Sequence, residues 1–153
     1  MAGFRLQPLI DFAEERSKSA AQALQRMRGQ WMQAEEKLRQ LEGYLADYRA
    51  RLSNAASGGM NVGSMLDFQR FIAKLELAIR AQSEEVVRCR DHWEVAEQHW
   101  QEREREVKAY HKLRERHNLE VQQKENRREQ KQQDEIAQNS ALKRTSEDNS
   151  SSK

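Results

Sequence analysis

The chain has 153 residues, of which 37% are hydrophobic and 34% charged, with a mean hydropathy of −1.09. Six glycines and one proline supply few turns, and the abundance of Ala, Glu, Lys, Leu, Arg and Gln is that of long helices, which excludes a doubly wound α/β domain, a TIM barrel and a β-sandwich. The 27 basic and 25 acidic side chains nearly cancel, so the charge excess expected of a nucleic-acid binder is missing.

The first predicted element is a helix over about residues 7–53, which has no proline after Pro8. Taking every third and fourth residue alternately from Leu6 gives Leu6, Ile10, Ala13, Ser17, Ala20, Leu24, Met27, Trp31, Ala34, Leu38, Leu41, Leu45, Tyr48 and Leu52, with Ser17 the one polar residue. A period of 3.5 residues held this long keeps one stripe against a partner helix by left-handed supercoiling.

Residues 54–64 form the expected loop, with Gly58, Gly59 and Gly63 in it. Gly58 and Gly63 have the separation of a phosphate loop, but no Lys precedes Ser64 and no strand leads in, so a flexible turn is expected.

A second helix is predicted over about residues 65–137, which lack Gly and Pro. Its stripe runs Met65, Phe68, Ile72, Leu75, Ile79, Gln82, Val86, Cys89, Trp93, Ala96, Trp100, Arg103, Val107, Tyr110, Arg114, His117 and Val121. Three of its four polar members lie beyond Trp100, so the stripe decays toward the C-terminus. Residues 139–153 are small and polar and are expected to be disordered.

The predicted fold is therefore all-α, a long antiparallel two-helix coiled-coil hairpin over residues 1–138 with a disordered tail. A parallel homodimer is the rival, but the glycine loop then has no purpose. Folding at the loop pairs positions whose numbers sum to about 117. Tyr48 then faces Phe68, Leu45 faces Ile72, Leu24 faces Trp93, Ser17 faces Trp100, and Arg103 falls beside Glu14. The segment beyond about Leu113 has no partner in the first helix and is expected to project alone as marginal helix or disorder.

No signal peptide is expected, because acidic residues enter within the opening segment. No apolar run of about 18 residues spans a membrane, and a cytoplasmic protein follows. Cys89 alone makes neither an internal disulfide nor a metal set. His92, His99, His111 and His117 lack metal-ligand spacing, and no nucleophile motif surrounds Cys89. No catalytic residue, metal or cofactor is expected.

The informative residues are apolar ones that the stripe does not need. Tyr44 on the first helix and Phe71 and Ala78 on the second occupy the position flanking the stripe that meets its counterpart on one side of an antiparallel pair. Lys37, Leu41, Tyr44 and Tyr48 thereby line up opposite Phe71, Leu75, Ala78 and Gln82. Either this strip is a docking face, or Tyr44 and Phe71 widen the core at the loop end. Arg127, Arg128 and Lys131 could touch phosphates, but Glu125 and Glu129 dilute them, and a solvated or partner-inserted helix is the expectation.

The run Gln33-Ala34-Glu35-Glu36-Lys37-Leu38 with Leu41, Tyr44 and Tyr48-Arg49, then Phe68-Gln69-Arg70-Phe71-Ile72, Leu75-Glu76 and Ala78-Ile79, resembles the flagellar export FliJ family. The opening Leu6 to Ala13 and the stretch Asn126 to Ala137 are similar to it as well. The resemblance implies a non-enzymatic cytoplasmic component of the flagellar type III export apparatus, peripheral to the inner membrane and monomeric when free. It implies a coiled-coil stalk whose terminal end enters the hexameric export ATPase and promotes its assembly. The tip would contact the membrane export gate, and export chaperones would be escorted. The gate-contacting face falls on Leu41, Tyr44, Tyr48, Phe71, Leu75 and Ala78, with weaker parts for Lys37, where the family has Gln, and Gln82, where it has His. A generic cytoplasmic coiled-coil adaptor is the alternative.

Overall fold

The computed structural model describes residues 2–151, with side chains from Arg5 onward. It consists of two helices, α1 (Ala2–Ser57) and α2 (Val62–Ser151), with no strand among the described residues. The chain divides into two compact units, residues Ala13–Arg105 and the paired segments Met1–Phe12 and Glu106–Lys153.

The turn is shorter than the sequence predicts. Helix α1 continues through Ser57, whose hydroxyl donates to the Asn54 carbonyl at 2.9 Å. Ala55 and Ala56 are strong helix formers and carry it past the expected end. The amide of Gly58 then donates to Asn54 O and that of Gly59 to Ala56 O, and Gly59 takes a φ of 83°. This left-handed residue closes the helix where a Cβ would be penalised. Asn61 starts α2: its Oδ1 accepts the Ser64 amide at 3.0 Å, satisfying a donor that the first turn leaves free. Gly63 therefore belongs to the opening of α2 and not to a phosphate-cradling loop.

Burial follows the 3-4 stripe closely. All fourteen stripe positions of α1 are buried or half-buried, as are sixteen of the seventeen in α2, Val121 being the exposed one. Ile10, at 1% relative exposure, is the most enclosed side chain. A fully buried Ile or Leu contributes about 1.5–3 kcal/mol. A half-exposed ion pair across the helices, such as Arg49–Glu76 at 2.9 Å, contributes about 0.2–1 kcal/mol. The stripe, not the charge lacing, holds the helices together.

Within the unit Ala13–Arg105 the contacts report one register. The residue numbers sum to 116 for the Tyr48–Phe68 ring pair and for the Gln82–Ala34 hydrogen bond. They sum to 121 for Ser17–Glu104 and to 124 for Trp31–Trp93. Long side chains lean toward the N-terminus of their own helix, so in an antiparallel pair they lean toward each other. Trp31 and Trp93, offset by about seven residues or roughly 10 Å along the axis, each lean part of the way and meet with centroids 5.3 Å apart. Trp93 thus meets the ring of Trp31, a contact the sequence pairing did not name.

Two polar stripe residues are accommodated by bonds across the helices. Gln82 Nε2 donates to the Ala34 carbonyl at 2.9 Å, and the Ser17 hydroxyl donates to Glu104 Oε1. A polar group paired inside an apolar stripe costs stability but fixes register. Trp31 Nε1 is buried with no partner, a loss of about 1–3 kcal/mol.

In the other unit, Arg114 Nη2 lies 2.9 Å from His111 Nδ1, and Arg114 Nη1 donates to Gln7 Oε1 at 3.5 Å. From Asn118 to Ser151 every side chain is exposed. The backbone is helical through Ser151, and the last two residues of the tail expected to be disordered lie outside the described residues. Local bonds such as Thr145 Oγ1 to Ala141 O at 2.7 Å and Ser150 Oγ to Glu147 O at 2.9 Å accompany these turns.

Urea unfolding followed by circular dichroism tests the division of energy. Trp93→Ala should cost about 2–3 kcal/mol, below the full Trp→Ala range because the ring is only half-buried. Leu119→Ala should stay within about 0.5 kcal/mol of wild type. Trp31→Phe, which keeps a ring and removes the orphaned N–H, should stay within about 1 kcal/mol.

Candidate functional site

The turn at residues 58–61 brings the ends of α1 and α2 that carry the aromatic strip side by side. Tyr48 packs against Phe71 with centroids 4.4 Å apart and an interplanar angle of 43°, and against Phe68 at 6.2 Å. Tilted, offset pairs of this kind suit the ring quadrupoles. The Arg51 guanidinium lies 5.3 Å from the Tyr48 ring centroid, close enough for cation–π attraction. The result is one aromatic cluster with a cation on its edge.

Its members differ in what they offer a partner. Tyr44 is 55% exposed and Phe71 41% exposed, while Leu41, Tyr48 and Ala78 are half-buried and Lys37 is exposed. Leu75 and Gln82 face inward, at 8% and 9% exposure, and act as struts beneath the strip. The accessible part of the predicted face is therefore Tyr44 and Phe71, framed by Tyr48, Leu41, Ala78 and Lys37.

Sequence reasoning missed Arg51 and Phe68 as members of the cluster. Arg51 lies one heptad after Tyr44, so the same spacing that singled out Tyr44 also places Arg51 on that edge. Phe68 was read only as a stripe residue, yet its ring is part of the aromatic contact. The Gln82–Ala34 bond had no sequence signal, because its acceptor is a backbone carbonyl.

No group of three or more His, Cys, Asp or Glu able to hold a metal is found among the described residues. Burial pushes the Cys89 thiol above its ordinary pKa, helped by the Glu85 carboxylate, which accepts its hydrogen bond at 3.6 Å. A thiol held protonated is a poor nucleophile. No described helix is long and apolar enough to cross a membrane.

These features define an all-α two-helix hairpin of coiled-coil type with an aromatic strip beside its turn. The family model for the flagellar FliJ protein matches residues 1–146. The flagellar FliJ protein of Escherichia coli K12 is 33% identical over 139 residues, covering 91% of this chain and 95% of that one. The Salmonella typhi protein of the same name is 32% identical over 139 residues with the same coverage. The chain belongs to the flagellar FliJ protein family, and with it to the components of flagellar protein export. A solved structure of a proposed YscO homologue from Chlamydia trachomatis aligns over 87% of this chain and 91% of its own, with 20% identity and a TM-score of 0.48. That likeness is too slight to bear on function.

The Cys89 environment makes a pH prediction. The folded state raises the thiol pKa above the unfolded value near 8.5, so the contribution of the protonated thiol is complete below that pH. It is lost as pH rises through the folded pKa. Wild type should thus lose stability relative to Cys89→Ala as pH climbs from about 8 to 10, measured by urea midpoints. Native Cys89 should also react with a thiol reagent far more slowly than the urea-unfolded chain.

Proposed function

We propose that this chain is the non-catalytic coiled-coil stalk of the flagellar type III export apparatus, joining the hexameric export ATPase to the membrane export gate. Family membership supports the setting. The observation that carries the gate contact is the exposed Tyr44–Phe71 surface seated on Tyr48. Exposing two large aromatics on a charged, hydrophilic chain costs solubility unless a partner covers them, and aromatic residues are those that anchor interfaces.

On this reading Leu41, Tyr44, Tyr48, Phe71, Leu75 and Ala78 form the gate face, with Lys37 and Gln82 at its far end. The roles within it divide by exposure. Tyr44, Phe71 and Ala78 touch the gate, and Leu75 and Gln82 hold the helices in register beneath them. Gln82 fills the family's His position without an imidazole, so its task here is the bond to Ala34, not titration.

The opening turns of α1 and the part of α2 beyond about Leu113 enter the ATPase ring and promote its assembly. The uniformly polar, exposed character of α2 after Asn118 suits a helix whose partner is another protein. Export chaperones bind during their cycle, and the chain works as a cytoplasmic monomer peripheral to the inner membrane. It needs no cofactor and binds no nucleic acid.

Two measurements test this reading. Adding the chain to purified flagellar export ATPase should increase ring formation, and co-purification without stimulation would favour a generic adaptor. Tyr44→Ala with Phe71→Glu should keep the helical signal and melting of wild type while lowering gate-domain affinity at least about tenfold and abolishing swimming. Leu75 is unsuited to this test, because a charge at a buried stripe position would damage the helix pair itself.

A further inference from the structure

Helix α2 carries a second apolar line beside the turn, on the side that α1 does not cover. Val62, Leu66, Ala73 and Leu77 are all exposed, the three larger ones at 75%, 45% and 62%. At about 100° per residue these four fall within roughly 60° of one another, along about 23 Å of helix. The stripe residues Phe68, Ile72 and Leu75 lie more than about 100° from the middle of this line, so it is no part of the contact with α1.

Three cations stand on the same side. Arg70 occupies the gap between Leu66 and Ala73, Lys74 follows Ala73, and Arg80 lies one turn beyond Leu77. All three are exposed, and none makes an ion pair among the described residues. Of the two carboxylates in residues 62–80, Glu76 is taken by Arg49 at 2.9 Å, which leaves Asp67 against three unpaired cations. Farther along, the same side of α2 holds Glu84 and Asp91, where the basic stretch ends.

From this pairing of an uncovered apolar line with unpaired cations we propose that the outer face of α2 between Val62 and Arg80 rests on an anionic lipid bilayer surface. Leu66 and Leu77 enter the interface, and Arg70, Lys74 and Arg80 meet lipid phosphates. A helix of this kind lies in the plane of the membrane, held jointly by apolar burial and by attraction to anionic headgroups. Spanning is not required, since no described helix is apolar enough for it. Arg70 decides between lipid and a partner helix. It stands inside the apolar line, so a close-packed helix, or a second copy of this chain, would bury an unpaired guanidinium. At a bilayer its methylene stem lies in the interface while its head reaches the phosphates. Phe71 falls roughly 150° round α2 from the middle of the line, so lipid contact leaves the aromatic strip free and is independent of the gate assignment.

Co-sedimentation of the full chain with vesicles made of equal parts phosphatidylglycerol and phosphatidylcholine tests this. Binding should be at least about tenfold tighter than to phosphatidylcholine alone and should weaken as salt is raised. Leu66→Ser with Leu77→Ser, and separately Arg70→Glu with Lys74→Glu, should each lower it about tenfold while leaving the melting curve intact, because these side chains are exposed. In a Cys89→Ala background, an environment-sensitive dye at Leu66→Cys should shift to the blue on vesicles, and the same dye at Met32→Cys on α1 should not. Phe71→Glu should abolish gate binding yet leave vesicle binding unchanged, which separates failure here from failure of the gate assignment. Absence of vesicle binding, equal binding to the two lipid compositions, indifference to the Leu66 and Leu77 substitutions, or a dye response at Met32→Cys alone would overturn the proposal. So would sedimentation showing a dimer of this chain that Leu66→Ser with Leu77→Ser dissociates.

Discussion

The 3-4 apolar stripe shared by α1 and α2 is the constraint from which the other features follow. Neither helix contains enough apolar surface to stand alone in water, and most of what each has lies along one line. Each residue of that line is only partly covered when the two helices meet, so stability accumulates over many modest contacts and not from a few fully buried ones. Such a stripe tolerates occasional polar residues provided each finds a partner. Gln82 and Ser17 find theirs in Ala34 O and Glu104, and Trp31 Nε1 finds none.

The same stripe decides what is left over for recognition. A thin two-helix pair has edges and no deep cavity, so its docking surface for another protein must be built from side chains flanking the stripe. Close to the turn those flanking positions hold Tyr44, Phe71 and Arg51, which together with Tyr48 make an aromatic cluster with a cationic border. Farther from the turn a shallow groove is lined by Ala20, Ala23, His99 and Arg103 among others. On the other edge ionic and hydrogen-bonding contacts bridge the helices. The thiol of Cys89 stays sheltered in the stripe.

Heptad spacing made the fold and much of the candidate face legible in advance. The period identified every fully buried residue among those described, because burial in a helix pair depends on angular position, which the period fixes directly. Tyr44 and Phe71 stood out by the same logic, as large apolar residues off the stripe, and their exposure agrees with it. The loop was read too long, because Ser53 to Ser57 contain turn-compatible residues that also sustain a helix when the preceding turn is already formed.

The sequence by itself determined the class of fold, the line along which the helices meet and the edge that presents aromatic residues, since these depend only on spacing and side-chain type. Tertiary structure decided which neighbours touch: Trp93 against Trp31, Gln82 against a backbone carbonyl, Glu104 against Ser17. The physical reason is that side chains lean along the helix axis and reach over distances comparable to a turn. Equal axial height therefore does not settle contact, and backbone acceptors carry no mark in the residue pattern.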